Sequence, residues 1–142
     1  MTVAIELDNR SSAALDEAEL RRVLEAALAA EGIDDGEVGV ALVDEPEMAE
    51  LNAAHRGKPV ATDVLSFPLD DDDLGDDGLR VLGDVVIAPS VAARNRPEDP
   101  ASEMRLLLVH GILHLLGHDH MDEDDRAEMW TRQERYSGVS VR

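Results

Sequence analysis

The chain of 142 residues contains no cysteine, and only 2% of its residues are aromatic. The absence of cysteine excludes disulfide bonds, iron–sulfur clusters and thiolate metal sites. Any metal ion must therefore be held by histidine, aspartate or glutamate. The shortage of aromatic side chains gives little support to nucleic-acid recognition by base stacking.

Basic residues are also scarce. The chain has 13 Lys+Arg against 32 Asp+Glu, a net charge of -19, and Lys58 is its only lysine. A general nucleic-acid-binding protein carries a basic face. Long-range attraction to a phosphate backbone is therefore not expected, and no DNA partner is predicted.

Long hydrophobic runs are absent as well. The longest apolar stretch, residues 106–116, is interrupted by two histidines and a glycine, and it is too short to span a bilayer. The beginning of the chain lacks the pattern of a signal peptide. These features predict a cytoplasmic protein with no membrane partner. The length fits a single domain over residues 1–142.

The periodicity of apolar residues predicts an α+β domain with a small, mostly four-stranded mixed sheet and several helices. Helix starts are marked by Asp16 with Glu19, by Asp44 with Pro46, and by Asp99. The predicted strands are residues 3–7, 38–43, 63–67 and 81–87. The predicted helices lie between residues 16 and 32, from residue 44 onward, and over 89–95, 99–116 and 122–136. Loops are predicted at 56–61 and, in the acidic segment, at 70–78.

The segment 110–120 reads His-Gly-Ile-Leu-His-Leu-Leu-Gly-His-Asp-His and holds four of the five histidines. His110 and His114 are four residues apart on a predicted helix, so they share one face. Gly117 ends that helix, and His120 can then turn back as a third ligand. Three protein ligands with one open position are typical of a catalytic zinc ion. We therefore predict one zinc ion on this helix, although three imidazoles also suit nickel, copper or cobalt.

The spacing resembles the ligand framework of the metzincin proteases, with one departure. Those proteases place a glutamate, their general base, immediately after the first histidine, where this chain has Gly111. The pattern thus predicts a zincin-like metal helix in a hydrolase of another kind. His118 falls outside the ligand spacing and is expected to be solvated or to line a pocket. Asp119 is equally well explained as an orienting partner of an imidazole or as a turn residue.

Four segments together resemble the YbeY family of bacterial rRNA-maturation endoribonucleases, and the resemblance covers nearly the whole chain. The first is the histidine segment, and the second is Leu51-Asn52 followed by His55-Arg56-Gly57-Lys58, where the family has tyrosine in place of His55. The third and fourth are Thr62-Asp63-Val64-Leu65-Ser66-Phe67-Pro68 and Gly83-Asp84-Val85-Val86-Ile87.

The resemblance implies a zinc-dependent endoribonuclease that cuts single-stranded RNA. Its family role is the maturation of the 3′ end of small-subunit (16S) rRNA and ribosome quality control, with the ribosome or ribosomal proteins as partners. By matching positions it implies that His110, His114 and His120 bind zinc. It also implies catalytic roles for His114 and for Arg56, the family's functionally important arginine.

The residues themselves are compatible with this chemistry. Arg56 can contact a phosphate through two N–H groups. The alternative is a surface loop residue paired with an acid, but its position next to Gly57 and Lys58, together with the family match, favours a functional role. No glutamate base is evident. His118, Asp63 or Asp84 could assist proton transfer, and Ser66 could line the cleft. Candidates for a phosphate-facing rim are Arg56, Lys58, Arg94 and Arg96, of which the last two are more simply explained as solvated residues at helix ends.

Two other functions stay open at this point. A zinc peptidase is supported by the ligand spacing and opposed by Gly111. A ribosome-associated zinc-binding module without catalysis would close the metal site with a fourth protein ligand such as Asp119 or His118.

Overall fold

Four strands and five helices make up the part of the chain that this computed structural model describes, residues 2–68, 81–118 and 123–139. The predicted acidic loop at 70–78, Asp119 and His120 lie outside the described residues. In chain order the described elements are β1 (Thr2–Asn9), α1 (Glu17–Ala30), β2 (Asp35–Leu42), α2 (Glu45–Arg56), β3 (Val64–Pro68), β4 (Val81–Ile87), α3 (Pro89–Asn95), α4 (Pro100–Leu115) and α5 (Glu123–Ser137).

The predicted strands and helices are confirmed, with small shifts at their ends. Asp16 caps α1 by accepting a hydrogen bond from the Glu19 backbone N–H at 3.1 Å. At the other end Gly32 adopts a positive φ of 79°, which lets the chain leave the helix. Pro68, expected to follow the third strand, is its last residue and lies opposite Gly83. A proline fits there because β3 is at the edge of the sheet.

The described strands form one mixed sheet in the order β1-β2-β4-β3. β1 pairs with β2 and β2 pairs with β4 in parallel, whereas β3 runs antiparallel to β4. The predicted α+β class and the small four-stranded mixed sheet are therefore confirmed for the described residues. The pairing of Ser66 with Val85, and of Phe67 with Asp84, fixes which side chains of β3 and β4 face each side of the sheet.

One face of the sheet packs against α1 and α4. Alternate residues of β2 point into this core, and all of them are nearly inaccessible to solvent. Each aliphatic side chain buried in this way stabilises the fold by about 1.5–3 kcal/mol relative to an exposed one. The core members from β2, α1 and α4 include Val38, Val40, Leu42, Leu20, Leu24, Leu28, Leu107, Leu108 and Ile112.

Helix α4 is buried on almost every side, since it contacts α1, α3, α5, β3 and β4. Its sequence is accordingly apolar all round rather than along one stripe. Asp99 caps the helix by accepting from the Ser102 backbone N–H at 3.2 Å, and Pro100 occupies its first turn. The two histidines of α4 are therefore carried by a rigid, central element. None of the described helices is long and apolar enough to cross a membrane.

The opposite face of the sheet is only partly covered. Met48 of α2 packs there against Leu65, Val86 and Val91, and it is fully buried. Because β4 contributes to both cores, its side chains are buried on both faces along most of its length.

Candidate metal centre and cleft

His110 and His114 lie one turn apart on α4 with their imidazoles converging. Their Nε2 atoms are 3.1 Å apart, and the ring centroids are 4.6 Å apart at an interplanar angle of 74°. Both side chains are half-buried. The i, i+4 spacing predicted this arrangement, and the structure brings the two rings together.

This geometry fits a bound metal ion. Two nitrogen atoms that each lie about 2.0–2.1 Å from a tetrahedral zinc ion are about 3.3 Å apart. The observed separation of 3.1 Å is close to that value. Among the residues that the structure describes, no three potential ligands form a metal-binding group. The predicted third ligand, His120, lies outside these residues, so its assignment stays a prediction.

Gln133 of α5 contacts the other nitrogen of His110, and it was not among the predicted site residues. Its Oε1 atom lies 2.6 Å from His110 Nδ1, and the residue is only 3% exposed. On α5 it follows buried Met129 and precedes buried Ser137, each one turn away. A polar residue within that buried stripe is the signal that could have pointed to it.

A cleft of about 340 Å³ opens over the two histidines. Arg56, at the end of α2, lines it together with His55 and Ser66. Gly57 ends α2 with a positive φ of 72°, which turns the chain directly after Arg56. The remaining lining residues are Val64, Leu65, Pro68, His110 and His114.

Arg56 is exposed and makes no ion pair with any carboxylate in residues 2–68, 81–118 and 123–139. Within that part of the chain, the structure therefore does not support the explanation that Arg56 is a surface residue paired with an acid. Its neighbour His55 packs against Phe67, with ring centroids 4.5 Å apart and the rings tilted by 54°. His55 was not among the predicted site residues, because its position near the histidine pair depends on how α2 packs against β3.

Gly111 faces the sheet and not the cleft. A Cβ atom built on it would lie 2.6 Å from Val85 Cγ1 and 3.3 Å from Ser66 Oγ. The Ser66 hydroxyl donates to the Gly111 carbonyl oxygen at 3.2 Å, which brings β3 close to α4. A glutamate at this position has no space, so the missing protease base follows from the packing of α4 on β4.

The two aspartates considered for proton transfer do not reach the histidines. Asp63 Oδ1 accepts from the Val64 backbone N–H at 2.8 Å, and its Oδ2 accepts from Asn95 at 3.2 Å. Asp84 follows the alternation of β4, so it points away from α4 while Val85 points toward it. Both suggestions are therefore wrong. Asp63 organises the start of β3, and Asp84 lies in a groove on the other face of the sheet.

A family model described as Endoribonuclease YbeY matches residues 5–138 of this chain. The chain belongs to the endoribonuclease YbeY family. The resemblance read from its motifs is thereby confirmed.

Relatives named Endoribonuclease YbeY are similar to this chain over most of their length. The Bacillus licheniformis protein is 43% identical over 126 residues, which is 82% of this chain and 80% of that protein. The Macrococcus caseolyticus protein is 42% identical over 142 residues, or 94% of this chain and 92% of that protein. The solution structure of TM1509 from Thermotoga maritima matches with a TM-score of 0.63 and 31% identity, over 96% of this chain and 87% of that one.

Two arginines of this YbeY-family chain are used within the protein and not in the cleft. Arg94 binds both carboxylate oxygens of Glu45, at 2.7 and 2.8 Å, and these hydrogen bonds lower the pKa of Glu45 to about 2. Arg96 is only 8% exposed and donates to buried Glu103 at 3.0 Å. Neither arginine lines the cleft. Arg94 is an exposed residue in the last turn of α3, as its simpler explanation predicted, whereas Arg96 is buried and not solvated.

His118 was expected to be solvated or to line a pocket; its side chain is 24% exposed, and it is paired with a buried carboxylate. Its Nε2 atom donates to Glu31 Oε1 at 2.5 Å. Arg132 and Tyr136 of α5 donate to the other oxygen of Glu31, whose side chain is 6% exposed. Glu31 thus joins the end of α1, α5 and the turn after α4.

We expect Glu31→Gln to destabilise this YbeY-family chain by about 1–3 kcal/mol at neutral pH, because it removes a buried charge from three donors. Burial by itself raises the pKa of Glu31, but hydrogen bonds from Tyr136, His118 and Arg132 outweigh it and hold the pKa below its ordinary value of 4.5. A lowered pKa in the folded state stabilises the protein above pH 4.5, and this contribution is lost as the pH falls through the folded-state value.

Urea denaturation of the parent and of Glu31→Gln between neutral and acidic pH measures this effect. The difference in unfolding free energy is expected to shrink as the pH drops below 4.5. Glu128→Gln is the matched control, because Glu128 also binds Arg132 but its side chain is 61% exposed. A difference that stayed constant with pH would contradict the role given to the Glu31 charge.

Proposed function

We propose that this YbeY-family chain is a single-domain, zinc-dependent endoribonuclease that cuts single-stranded RNA, with the metal held by His110, His114 and His120. Family membership makes it a hydrolase acting on RNA. The observation that carries the metal assignment is the pair of Nε2 atoms 3.1 Å apart in a cleft that Arg56 also lines. When bound, zinc would supply Lewis-acid chemistry for phosphodiester hydrolysis.

The residues of the cleft perform the remaining tasks. Arg56 binds the phosphodiester through its planar guanidinium group and stabilises the negative charge that develops during hydrolysis. Its charge is available because no carboxylate in the described ranges pairs with it. Asn52 supports the loop after Arg56 by donating to the Val60 carbonyl oxygen at 2.8 Å. None of Asp63, Asp84 and His118 contacts the two histidines, so no side chain is assigned as the general base.

The proposed biological substrate is the 3′ end of small-subunit rRNA. The proposed partners are the ribosome or ribosomal proteins, and the proposed location is the cytoplasm. The protein would also take part in ribosome quality control. The net charge of -19 supports delivery of the RNA by such a partner, since the chain itself attracts phosphate weakly. We accordingly expect slow cleavage of naked RNA and faster cleavage when small ribosomal subunits are present. Rapid, metal-dependent cutting of short RNA at physiological salt without a partner would contradict this.

Replacing Arg56 with alanine is expected to lower kcat/KM for a single-stranded RNA about 10²–10³-fold, the usual cost of removing one group that stabilises developing charge. Arg56→Lys keeps the charge but loses the bidentate contact, so its kcat/KM should lie between those of the parent and Arg56→Ala. Single-turnover cleavage of an RNA carrying an unprocessed small-subunit rRNA 3′ end measures both.

Arg94→Ala is the matched control for this series. It also removes one exposed arginine, but one that is bound to Glu45 and does not line the cleft. Its activity should stay near that of the parent. Parental kcat/KM in Arg56→Ala, or an equal loss in Arg94→Ala, would show that Arg56 has no specific role at the phosphate.

The peptidase alternative has no support in the geometry, because Val85 and Ser66 occupy the space that a glutamate at position 111 would need. The non-catalytic alternative predicts zinc binding without any cleavage of RNA. The assay with and without ribosomal subunits separates that outcome from the proposed function.

A further inference from the structure

Gln133 and His110 form a buried contact between α5 and the proposed metal helix. The 2.6 Å separation of Gln133 Oε1 and His110 Nδ1 is short for a hydrogen bond between neutral groups. Gln133 is 3% exposed, so water does not compete for its amide oxygen. An unpaired amide in such a place costs about 1–3 kcal/mol, which favours keeping the contact.

The chemistry of the amide oxygen decides where the His110 proton resides. Oε1 of glutamine accepts hydrogen bonds and cannot donate one, so Nδ1 of a neutral His110 must carry the proton. The lone pair of the ring is then on Nε2. That is the atom that lies 3.1 Å from His114 Nε2, where a metal ion fits.

The contact also fixes the direction of the ring. His110 is half-buried on α4, and its Nδ1 is held by a helix that follows the 119–122 segment in the chain. Without an acceptor at position 133, the imidazole could rotate or carry its proton on Nε2, and a protonated Nε2 cannot bind a metal ion. Orienting partners of this kind typically change metal affinity 10–100-fold.

We propose that Gln133 is a positioning residue that holds His110 in the Nδ1–H tautomer with Nε2 directed at the metal. The proposal rests on the metal role of His110 that is part of the proposed function. It assigns to α5, the last helix, a direct part in building the site.

The first test examines the metal-free protein and needs no activity. Long-range ¹H–¹⁵N NMR correlations of the histidine rings, recorded at about pH 8 where an ordinary imidazole is neutral, report which nitrogen carries the proton. The parent and Gln133→Glu, which keeps an acceptor oxygen, should show His110 protonated on Nδ1. Gln133→Leu should show a mixture of tautomers. Protonation of Nε2 in the parent, or no change in Gln133→Leu, would overturn the proposal.

The second test is zinc affinity, measured by competition with a chelator. We expect Gln133→Leu to bind zinc about 10–100-fold more weakly than the parent. Gln133→Glu keeps an acceptor oxygen, so it should bind zinc about as tightly as the parent. Ser137→Ala is the matched control, because Ser137 is buried on the same face of α5 and donates to the backbone carbonyl oxygen of Gln133 at 2.5 Å, but makes no hydrogen bond to His110 or to the Gln133 side chain. If Ser137→Ala weakened zinc binding as much as Gln133→Leu, the effect of Gln133 would be one of general packing, and the proposal would be overturned.

The two tests also separate this proposal from the proposed function. If the parent binds no zinc but the tautomer of His110 still depends on residue 133, the positioning role stands and the zinc assignment fails. If Gln133→Leu does not fold, Gln133→Met, which has a similar size and lacks the acceptor, provides the same comparison.

Discussion

His114→Ala is expected to abolish zinc binding in the cleft and to lower RNA cleavage about 10³-fold or more. The substitution removes one of the two imidazoles whose Nε2 atoms converge at 3.1 Å. A catalytic metal contributes several kcal/mol of transition-state stabilisation, and each 1.36 kcal/mol corresponds to a factor of ten in rate. The fold should survive, because His114 is only half-buried and alanine is the best helix former.

The measurement is cleavage of an RNA with an unprocessed small-subunit rRNA 3′ end by the zinc-loaded parent and variant, with and without small ribosomal subunits. Zinc content is determined on the same samples. His55→Ala is the control for metal binding, since it removes an exposed imidazole of the same cleft and should keep the zinc. Equal cleavage by parent and His114→Ala would indicate a contaminating nuclease. Zinc retained in His114→Ala would contradict the assigned ligand.

The fold could be predicted from the sequence because its elements carry local signals. Asp16 and Asp99 mark helix starts with side chains that cap the backbone, as the structure shows. The short, continuously apolar segment 38–43 marks β2, and the apolar stripe on α1 faces it in one core. The position of His110 and His114 on one face of α4 could be predicted as well, because it depends only on the helical repeat.

Contacts between residues far apart in the chain could not be predicted in this way. Gln133 is 23 residues from His110, and Glu31 is 87 residues from His118. Neither contact leaves a periodic signal, because each depends on how α5 and α1 pack beside α4. The same reason explains why His55 was not recognised as part of the cleft.

The misassignment of Asp84 has a different physical cause. Strand β4 is buried on both faces, so its apolar residues do not alternate with polar ones. Without that alternation the sequence does not show which face Asp84 occupies. The register with β3 decides it, because Ser66 and Val85 pair on the face that contacts Gly111.

The composition also does not show how many of the basic side chains are free to contact RNA. Arg94 and Arg96 each bind a glutamate, so they are neutralised within the protein. A net charge does not show which arginines are paired. Of the four candidates for a phosphate-facing rim, Arg56 and Lys58 make no ion pair within the described residues, and Arg56 is the one that lines the cleft. This strengthens the expectation of a large loss in Arg56→Ala.

Gly111→Glu, the substitution that would restore the protease pattern, is expected to destabilise the protein by about 4 kcal/mol or more and to create no peptidase. A Cβ at position 111 would lie 2.6 and 3.0 Å from the two methyl groups of Val85. Overpacking of this kind costs about 1–3 kcal/mol, and a carboxylate forced between α4 and β4 adds the cost of burying an unpaired charge. Domains are stable by only about 5–15 kcal/mol, so a large part of the free energy of unfolding would be lost.

Urea denaturation of a short series of variants separates the cost of overpacking from the cost of burying the charge. Gly111→Ala adds only the Cβ, and its expected net cost is about 0–2 kcal/mol, because the gain of about 1 kcal/mol in helix propensity over glycine offsets part of the overpacking. Combining it with Val85→Ala removes the methyl groups that the new Cβ would meet. The double variant should therefore be less unstable than the sum of the two single changes, which is the sign of direct contact. If Gly111→Glu were as stable as the parent, position 111 would have space for a side chain. The peptidase hypothesis would then regain support.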